Sequence, residues 1–348
     1  MVQKKDIRTL TLAELELLFE QHQEKAFRAK QVYEWLWQKS IVDFQQMSNL
    51  SLPLRHFLEN NFLIQPIQLQ QRQISNDKTI KNAFQLHDKH VIETVLIPTE
   101  KRMTVCVSSQ VGCSLTCSFC ATGKLKRLRN LTAAEIYDQV VFVQKQALEF
   151  YQKPLTNIVY MGMGEPLLNY QNTLDSIAHI THAKYGLGWS PSRITVSTAG
   201  IAKMIQKLGD DQVKFNLALS LHAANDEKRN QIMPINEQNH LRILRDALRY
   251  FYEKTGNEIT LEYIIFKHFN DELKDAQELW DFCKHVPCKI NIIEYNSIDD
   301  ALFQQADPEK VNVFAQFLKQ KNMIVNIRRS RGKDIDAACG QLANKNRT

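Results

Sequence analysis

Apolar residues recur along this chain in two rhythms. Residues 10–21 (LTLAELELLFEQ), 25–39 (KAFRAKQVYEWLWQK) and 52–62 (LPLRHFLENNF) carry the three-to-four-residue spacing of amphipathic helices. They predict a small helical module over residues 1–78, with basic residues and the aromatics Tyr33, Trp35 and Trp37 divided between core and surface. Residues 79–98 alternate and predict a β-ribbon, within a connecting segment at 79–102. From 103 onward, short apolar runs alternate with helical patterns. The runs at 103–109, 157–163, 193–198, 214–221, 258–266 and 289–295 predict six strands. Between the first two, residues 131–150 predict a helix. Thr132 and Glu135 have the spacing of a capping box, and Ile136, Val140, Val143 and Ala147 fall on one face. Six strand–helix units over 103–327 predict an α/β fold with a parallel sheet, either open or closed into a partial barrel. Both arrangements put active sites at the C-terminal ends of the strands. The last stretch, 328–348, predicts a loop.

Composition narrows the classes. Of 348 residues, 44% are hydrophobic and 24% charged, as in ordinary soluble domains. No apolar run approaches the roughly 20 residues of a membrane helix. The start, MVQKKDIRTL, lacks the apolar stretch of a signal peptide, so the expected location is cytoplasmic. A net charge of +6 admits a polyanionic partner. There are seven cysteines, four of them between 106 and 120. In a cytosolic chain that pattern points to metal or redox chemistry rather than a disulfide framework.

The chemistry concentrates at the predicted strand ends. Cys113, Cys117 and Cys120 are spaced C-x3-C-x2-C just after the first core strand. Thiolates suit iron–sulfur clusters, and three of them leave one iron open to a small molecule. A structural zinc site is the alternative; it requires a fourth ligand, from Cys106 or a distant histidine. MGMGEP at 161–166 ends the second core strand, where glycines permit close approach and Glu165 offers an acceptor. Ser197 ends the third, Ser220 and His222 the fourth, and Asn296 the sixth; such residues can converge on one pocket. Cys339 lies in RRSRGKDIDAACGQL (328–342), where Arg328, Arg329, Arg331 and Lys333 would lower a thiol pKa and attract phosphates. A second basic run, KLKRLR (124–129), follows the cysteine triad, and two such runs at one rim favour a nucleic-acid substrate. Cys106 is either core or a transient partner of Cys339. Cys283 and Cys288 carry no chemical reading.

Taken together, these segments resemble a known family. C-x3-C-x2-C after a first β-strand is similar to the radical S-adenosylmethionine (SAM) superfamily, whose fold is a partial (β/α)6 barrel. VCVSSQVGC, FCATG, MGMGEP, SLHAANDEKR, MPIN and DIDAACGQL resemble, more narrowly, the RlmN/Cfr family of RNA adenine methyltransferases. The resemblance implies a 4Fe–4S cluster on Cys113, Cys117 and Cys120. Its open iron would chelate SAM, with Gly164, Glu165, Ser197, Ser220, Leu221, His222 and Asn296 holding the rest of the cofactor. It implies Cys339 as methyl carrier, Cys106 as its resolving partner through a transient disulfide, and Glu93 in VIETVLIP as a proton acceptor. Many relatives carry proline where Glu294 stands. Two SAM molecules would be used per methylation: one to methylate Cys339, the other cleaved to a radical that activates the S-methyl group. The implied product is C2-methyladenosine in 23S ribosomal RNA and transfer RNAs. Also implied are a flavodoxin- or ferredoxin-like electron donor, a monomeric state and no membrane. The alternatives are a Cfr-like C8 methyltransferase, against which Pro166 argues, a zinc-stabilised RNA-binding protein without catalysis, and a radical SAM activase acting on protein.

Overall fold

A computed structural model describes residues 4–299 and 302–344; the ends of the predicted N-terminal module and C-terminal loop, 1–3 and 345–348, lie outside them. Three helices open the chain: α1 (Leu12–Gln21), α2 (Ala26–Trp37) and α3 (Leu52–Asn61). Thr11 caps α1 through a reciprocal box with Glu14, and Ser51 caps α3 ahead of Pro53. Trp37 is fully buried, while Tyr33 and Trp35 are half-buried. The aromatics of α2 therefore serve as packing more than as exposed surface.

Ten strands then form one sheet in which spatial order follows chain order. They are β1 (Gln68–Ile74), β2 (Ile80–Gln85), β3 (Val91–Pro98), β4 (Met103–Cys106), β5 (Asn157–Tyr160), β6 (Ile194–Thr198), β7 (Asn216–Ser220), β8 (Ile259–Ile265), β9 (Cys288–Glu294) and β10 (Val325–Arg328). β1 to β4 pair antiparallel, and β4 to β10 pair parallel. The six predicted core strands all form, most of them shorter than the apolar runs. The alternating ribbon is continuous with the main sheet. β1 and β10 are additional strands that the apolar pattern does not reveal. Both are short of buried residues, β1 having none and β10 only Val325, so no apolar rhythm marks them.

The crossover helices include α4 (Ala133–Tyr151), α5 (Tyr170–Thr181), α6 (Ala202–Asp210), α7 (Asp226–Ile232), α8 (Leu241–Thr255), α9 (Leu273–Cys283) and α10 (Pro308–Gln320). The predicted face of α4, Ile136, Val140, Val143 and Ala147, is fully buried, and the Thr132–Glu135 capping box is present. One hydrophobic core runs from Ile7 and Leu15 through the sheet to Leu318 and Leu342. Because β4 to β10 are parallel, the loops following them all emerge at one rim. Among the described residues no helix is long and apolar enough to cross a membrane.

Candidate active site at the strand ends

Cys113, Cys117 and Cys120 lie in the loop between β4 and α4. Three anchors shape that loop: the Cys113 N–H donates to Leu125 O at 3.3 Å, Ser118 N–H to Ile232 O at 3.0 Å, and Ala121 N–H to Gly340 O at 2.7 Å. Phe119, between the last two thiols, packs edge-on against His222 with centroids 4.7 Å apart. Burial pushes the Cys113 thiol up to about 11 and the Cys117 and Cys120 thiols upward as well. Cys117 is raised further by the other two thiols, which marks the three as one electrostatic group, and Arg229 opposes that rise. Such thiols are protonated at neutral pH and deprotonate when a metal binds.

The segment after β5 owes its glycines to packing. A Cβ on Gly164, at φ +95°, would lie 2.5 Å from the Gln110 side chain, and one on Gly162 would lie 2.7 Å from Ser108 Oγ. The glycines thus seat this loop against the strand-4 extension. Glu165 is buried behind them. Its Oε1 accepts the Leu167 N–H at 3.0 Å and its Oε2 the Ala199 N–H at 2.8 Å. Burial still pushes its carboxyl up to about 7 against those hydrogen bonds.

Ser197 on β6 and Ser220 on β7 face each other with hydroxyls 3.5 Å apart. Leu221 is buried in the hydrophobic core, and its carbonyl accepts from Arg229 Nε at 3.0 Å. His222 holds a left-handed backbone at φ +56°. Its Nδ1 accepts the Ile264 N–H at 3.1 Å, so the proton of the neutral ring sits on Nε2. Burial, helped by the Arg229 charge, lowers its pKa to about 3. Asn296 follows β9 and donates through Nδ2 to Cys339 O at 3.2 Å. Its Oδ1 is buried and without a partner.

Cys339 sits in the C-terminal loop, which crosses this rim between Asn296 and the cysteine loop. Its side chain is open to water, yet protein mass surrounds it and raises its thiol pKa, Glu262 adding to the rise and Arg328 countering it. It couples electrostatically to Cys120 and to Cys106. Cys106 is the buried last residue of β4, paired across the sheet with Val95 and Val159. Both are free thiols. Glu93 on β3 is buried beside Lys81 at 3.4 Å and binds the C-terminal loop. Glu294 accepts the Ser330 N–H and the Lys333 ammonium, at 3.2 and 2.9 Å, and so anchors the start of that loop. All thirteen residues singled out in the sequence thus lie at or beside one rim.

Two features escaped the sequence reading. Arg229 is fully buried and donates to Leu221 O, Ala199 O, Ser220 O and Asn236 Oδ1, tying two strand ends together. Its signal was a charged residue three positions from Ile232, on the buried face of α7. Gln110, whose Oε1 accepts the Glu165 N–H at 2.9 Å, carried no signal. The basic runs divide. Arg129 is committed to Asp88 and, bidentately, to Glu135. Lys124, which also donates to Asp299 O, lines with Lys126 and Arg127 an open cleft of about 460 Å³ that reaches Cys113.

The donor set fits an iron–sulfur cluster with a polar ligand: three thiols on one loop, an unpaired buried acceptor on Asn296 and two facing hydroxyls. Among the described residues no three His, Cys, Asp or Glu side chains are grouped as donors to one metal ion.

Comparison with known proteins agrees. Residues 5–64 match the ribosomal RNA large subunit methyltransferase N-terminal domain, and residues 107–279 match the radical SAM superfamily. A probable dual-specificity RNA methyltransferase RlmN of Cytophaga hutchinsonii is 59% identical, covering 99% of this chain and 94% of its own. One from Salinibacter ruber is 43% identical, covering 98% and 94%. The crystal structure of a radical SAM methyltransferase from Sphaerobacter thermophilus superposes with a TM-score of 0.90 at 39% identity, covering 97% of this chain and 99% of that one. The chain belongs to the RlmN family of radical SAM RNA methyltransferases.

Proposed function

We propose that the chain methylates C2 of adenosine in 23S ribosomal RNA, near the peptidyl-transferase centre, and in transfer RNAs, with Cys339 carrying the methyl group. One juxtaposition supports this reading above others: Cys339 lies on a loop bonded to the cysteine loop and couples to both Cys120 and Cys106. Cys113, Cys117 and Cys120 would hold a 4Fe–4S cluster. Gly164, Glu165, Ser197, Ser220, Leu221, His222 and Asn296 would hold SAM against it. Bound there, the two supply a methyl group and the one-electron chemistry that activates it.

The chain's own residues do the rest. Cys339 gives up its proton and accepts the methyl group; Arg328 favours the thiolate that burial opposes. The activated carbon, still on the Cys339 sulfur, bonds to C2 of the base. Cys106 or Glu93 takes the C2 proton. The Cys106 sulfur, as thiolate, then attacks the Cys339 sulfur; the sulfur–carbon bond breaks with its electron pair on the carbon, which takes a proton to become the C2 methyl group, and a Cys106–Cys339 disulfide remains. The target base must leave its stack to reach this rim. Lys25, Arg28, Lys30 and Lys39 of the N-terminal module, with the cleft lysines, are the groups we assign to RNA phosphates. Lys39 also covers the Trp35 ring, its Nζ 3.6 Å from the centroid. A flavodoxin- or ferredoxin-like protein would supply electrons, and the enzyme would act as a cytoplasmic monomer.

The test pairs two variants on reconstituted enzyme with SAM, a reductant and RNA. Cys106→Ala should trap a covalent protein–RNA adduct. Cys339→Ala should abolish 2-methyladenosine in digested RNA while its iron content stays that of wild type. Undiminished methylation by Cys339→Ala would remove the carrier role, and loss of iron in that variant would make Cys339 a cluster ligand instead.

A further inference from the structure

Among its described residues the C-terminal loop has little regular structure of its own, a single 3-10 turn at Lys333–Ile335, so its backbone groups must find partners elsewhere. Its first half is tied to the β1–β2 turn: Asp334 accepts from Ser75 Oγ and Asn76 N–H, and Asp77 from Gly332 N–H. Its far end is tied by Ala121 N–H to Gly340 O, Thr122 Oγ1 to Leu342 O and Asn344 Nδ2 to Val91 O, and two successive backbone N–H groups there meet one buried carboxylate. Glu93 Oε2 accepts the Ala343 N–H at 2.9 Å and the Asn344 N–H at 3.1 Å, while its Oε1 faces Lys81 Nζ at 3.4 Å. Two successive backbone N–H groups around one carboxylate form an anion-binding concavity.

The sheet register makes this arrangement possible. Lys81 pairs with Val95 and Ala83 with Glu93, so Lys81 and Glu93 are diagonal neighbours on one face. Val95 is in turn opposite Cys106. Glu93, Lys81 and Cys106 therefore point to the same side of the sheet. Both Glu93 oxygens are engaged, and both side chains of the ion pair are at most 5% exposed.

We propose that Glu93 is a positioning residue for the methyl-carrier loop: with Lys81 behind it, its carboxylate clamps Ala343 and Asn344 and thereby holds Cys339 against the cysteine loop. This rests on the reading of Cys339 as carrier. In the closed arrangement the carboxylate is engaged in docking, so loop placement is a role distinct from accepting the C2 proton.

Hydrogen exchange and alkylation on the purified chain, without RNA or SAM, test the proposal. Glu93→Ala should speed amide exchange at 340–344 by about tenfold or more. It should also speed iodoacetamide labelling of Cys339 severalfold, with exchange in β5 to β9 unchanged. Glu93→Gln with Lys81→Met keeps a neutral acceptor for both N–H groups and should restore slow exchange, a rescue that a general-base role does not predict. Ala343→Pro removes one donor without touching the sheet and should loosen the same segment, which keeps the test open if Glu93→Ala does not fold. Wild-type protection of 340–344 in folded Glu93→Ala, or in Ala343→Pro where it does not fold, overturns the clamp. Methylation surviving Cys339→Ala would sink the carrier reading and leave these exchange rates untouched, so the two fail separately.

Discussion

His222 illustrates how burial assigns a role. A histidine at a catalytic rim invites the part of proton carrier, but this one is enclosed by Phe119 and accepts a backbone N–H. Its pKa falls from 6.5 to about 3, burial contributing most and Arg229 the rest. A depressed pKa contributes stability that is complete above pH 6.5 and is lost as pH falls toward 3, at up to ~1.4 kcal/mol per pH unit. His222→Asn retains the left-handed backbone and an acceptor. Urea midpoints of that variant should fall less steeply than wild type between pH 6.5 and 4; equal slopes would mean that His222 is not the group responsible. Glu165 acts in the opposite direction. Its pKa is raised to about 7 by burial, so its contribution is complete below the ordinary carboxylate range and declines as pH rises to 7. The variant comparison separates the two, because Glu165 is common to both proteins. Arg229 is the third buried group here. Four acceptors in a fixed fan suit a guanidinium and not an ammonium.

Helices and strands were legible where a local rule sufficed. α4 follows from its capping box and apolar stripe, and both are present. Its start is reinforced because Glu135 also takes two hydrogen bonds from Arg129, each 2.8 Å. Thr132→Ala removes the side-chain acceptor for the Glu135 N–H and should cost about 1 kcal/mol by chemical denaturation. A loss below ~0.3 kcal/mol would mean that the Arg129 bridge alone fixes the turn. The edge strands were less legible. β1 exposes five of its seven positions and buries none, so its alternation has no apolar signature. The MGMGEP glycines show the reverse problem. Their presence was plain, but their reason, the approach of Ser108 and Gln110, depends on a loop from another strand.

The N-terminal module docks on α4 and α5 through specific pairs. Trp37 stacks on His179 at 3.6 Å and 3°, and meets Tyr137 edge-on. Buried Arg8 reaches both oxygens of Asp138 on α4, at 2.8 and 2.9 Å. Removing one member of a buried pair leaves the other charge uncompensated. Arg8→Met should therefore cost about 3 kcal/mol, measured by urea unfolding. A loss under ~1 kcal/mol would show that the aromatic contacts carry the docking. If these helices grip RNA as proposed, this joint sets the distance between grip and catalytic rim.

The amino-acid order alone specified the cysteine triad, the helical faces, the six main strands and the resemblance that named the family, because each depends on neighbours within a few positions. It gave no indication that Glu93 would meet residues 250 and 251 positions away, or that Arg229 would bind carbonyls from two strand ends. Those contacts exist because parallel strands bring every following loop to one rim and antiparallel β3 brings Glu93 alongside. Hydrogen bonds and thiol proximity between distant segments depend on that register, which no local spacing encodes.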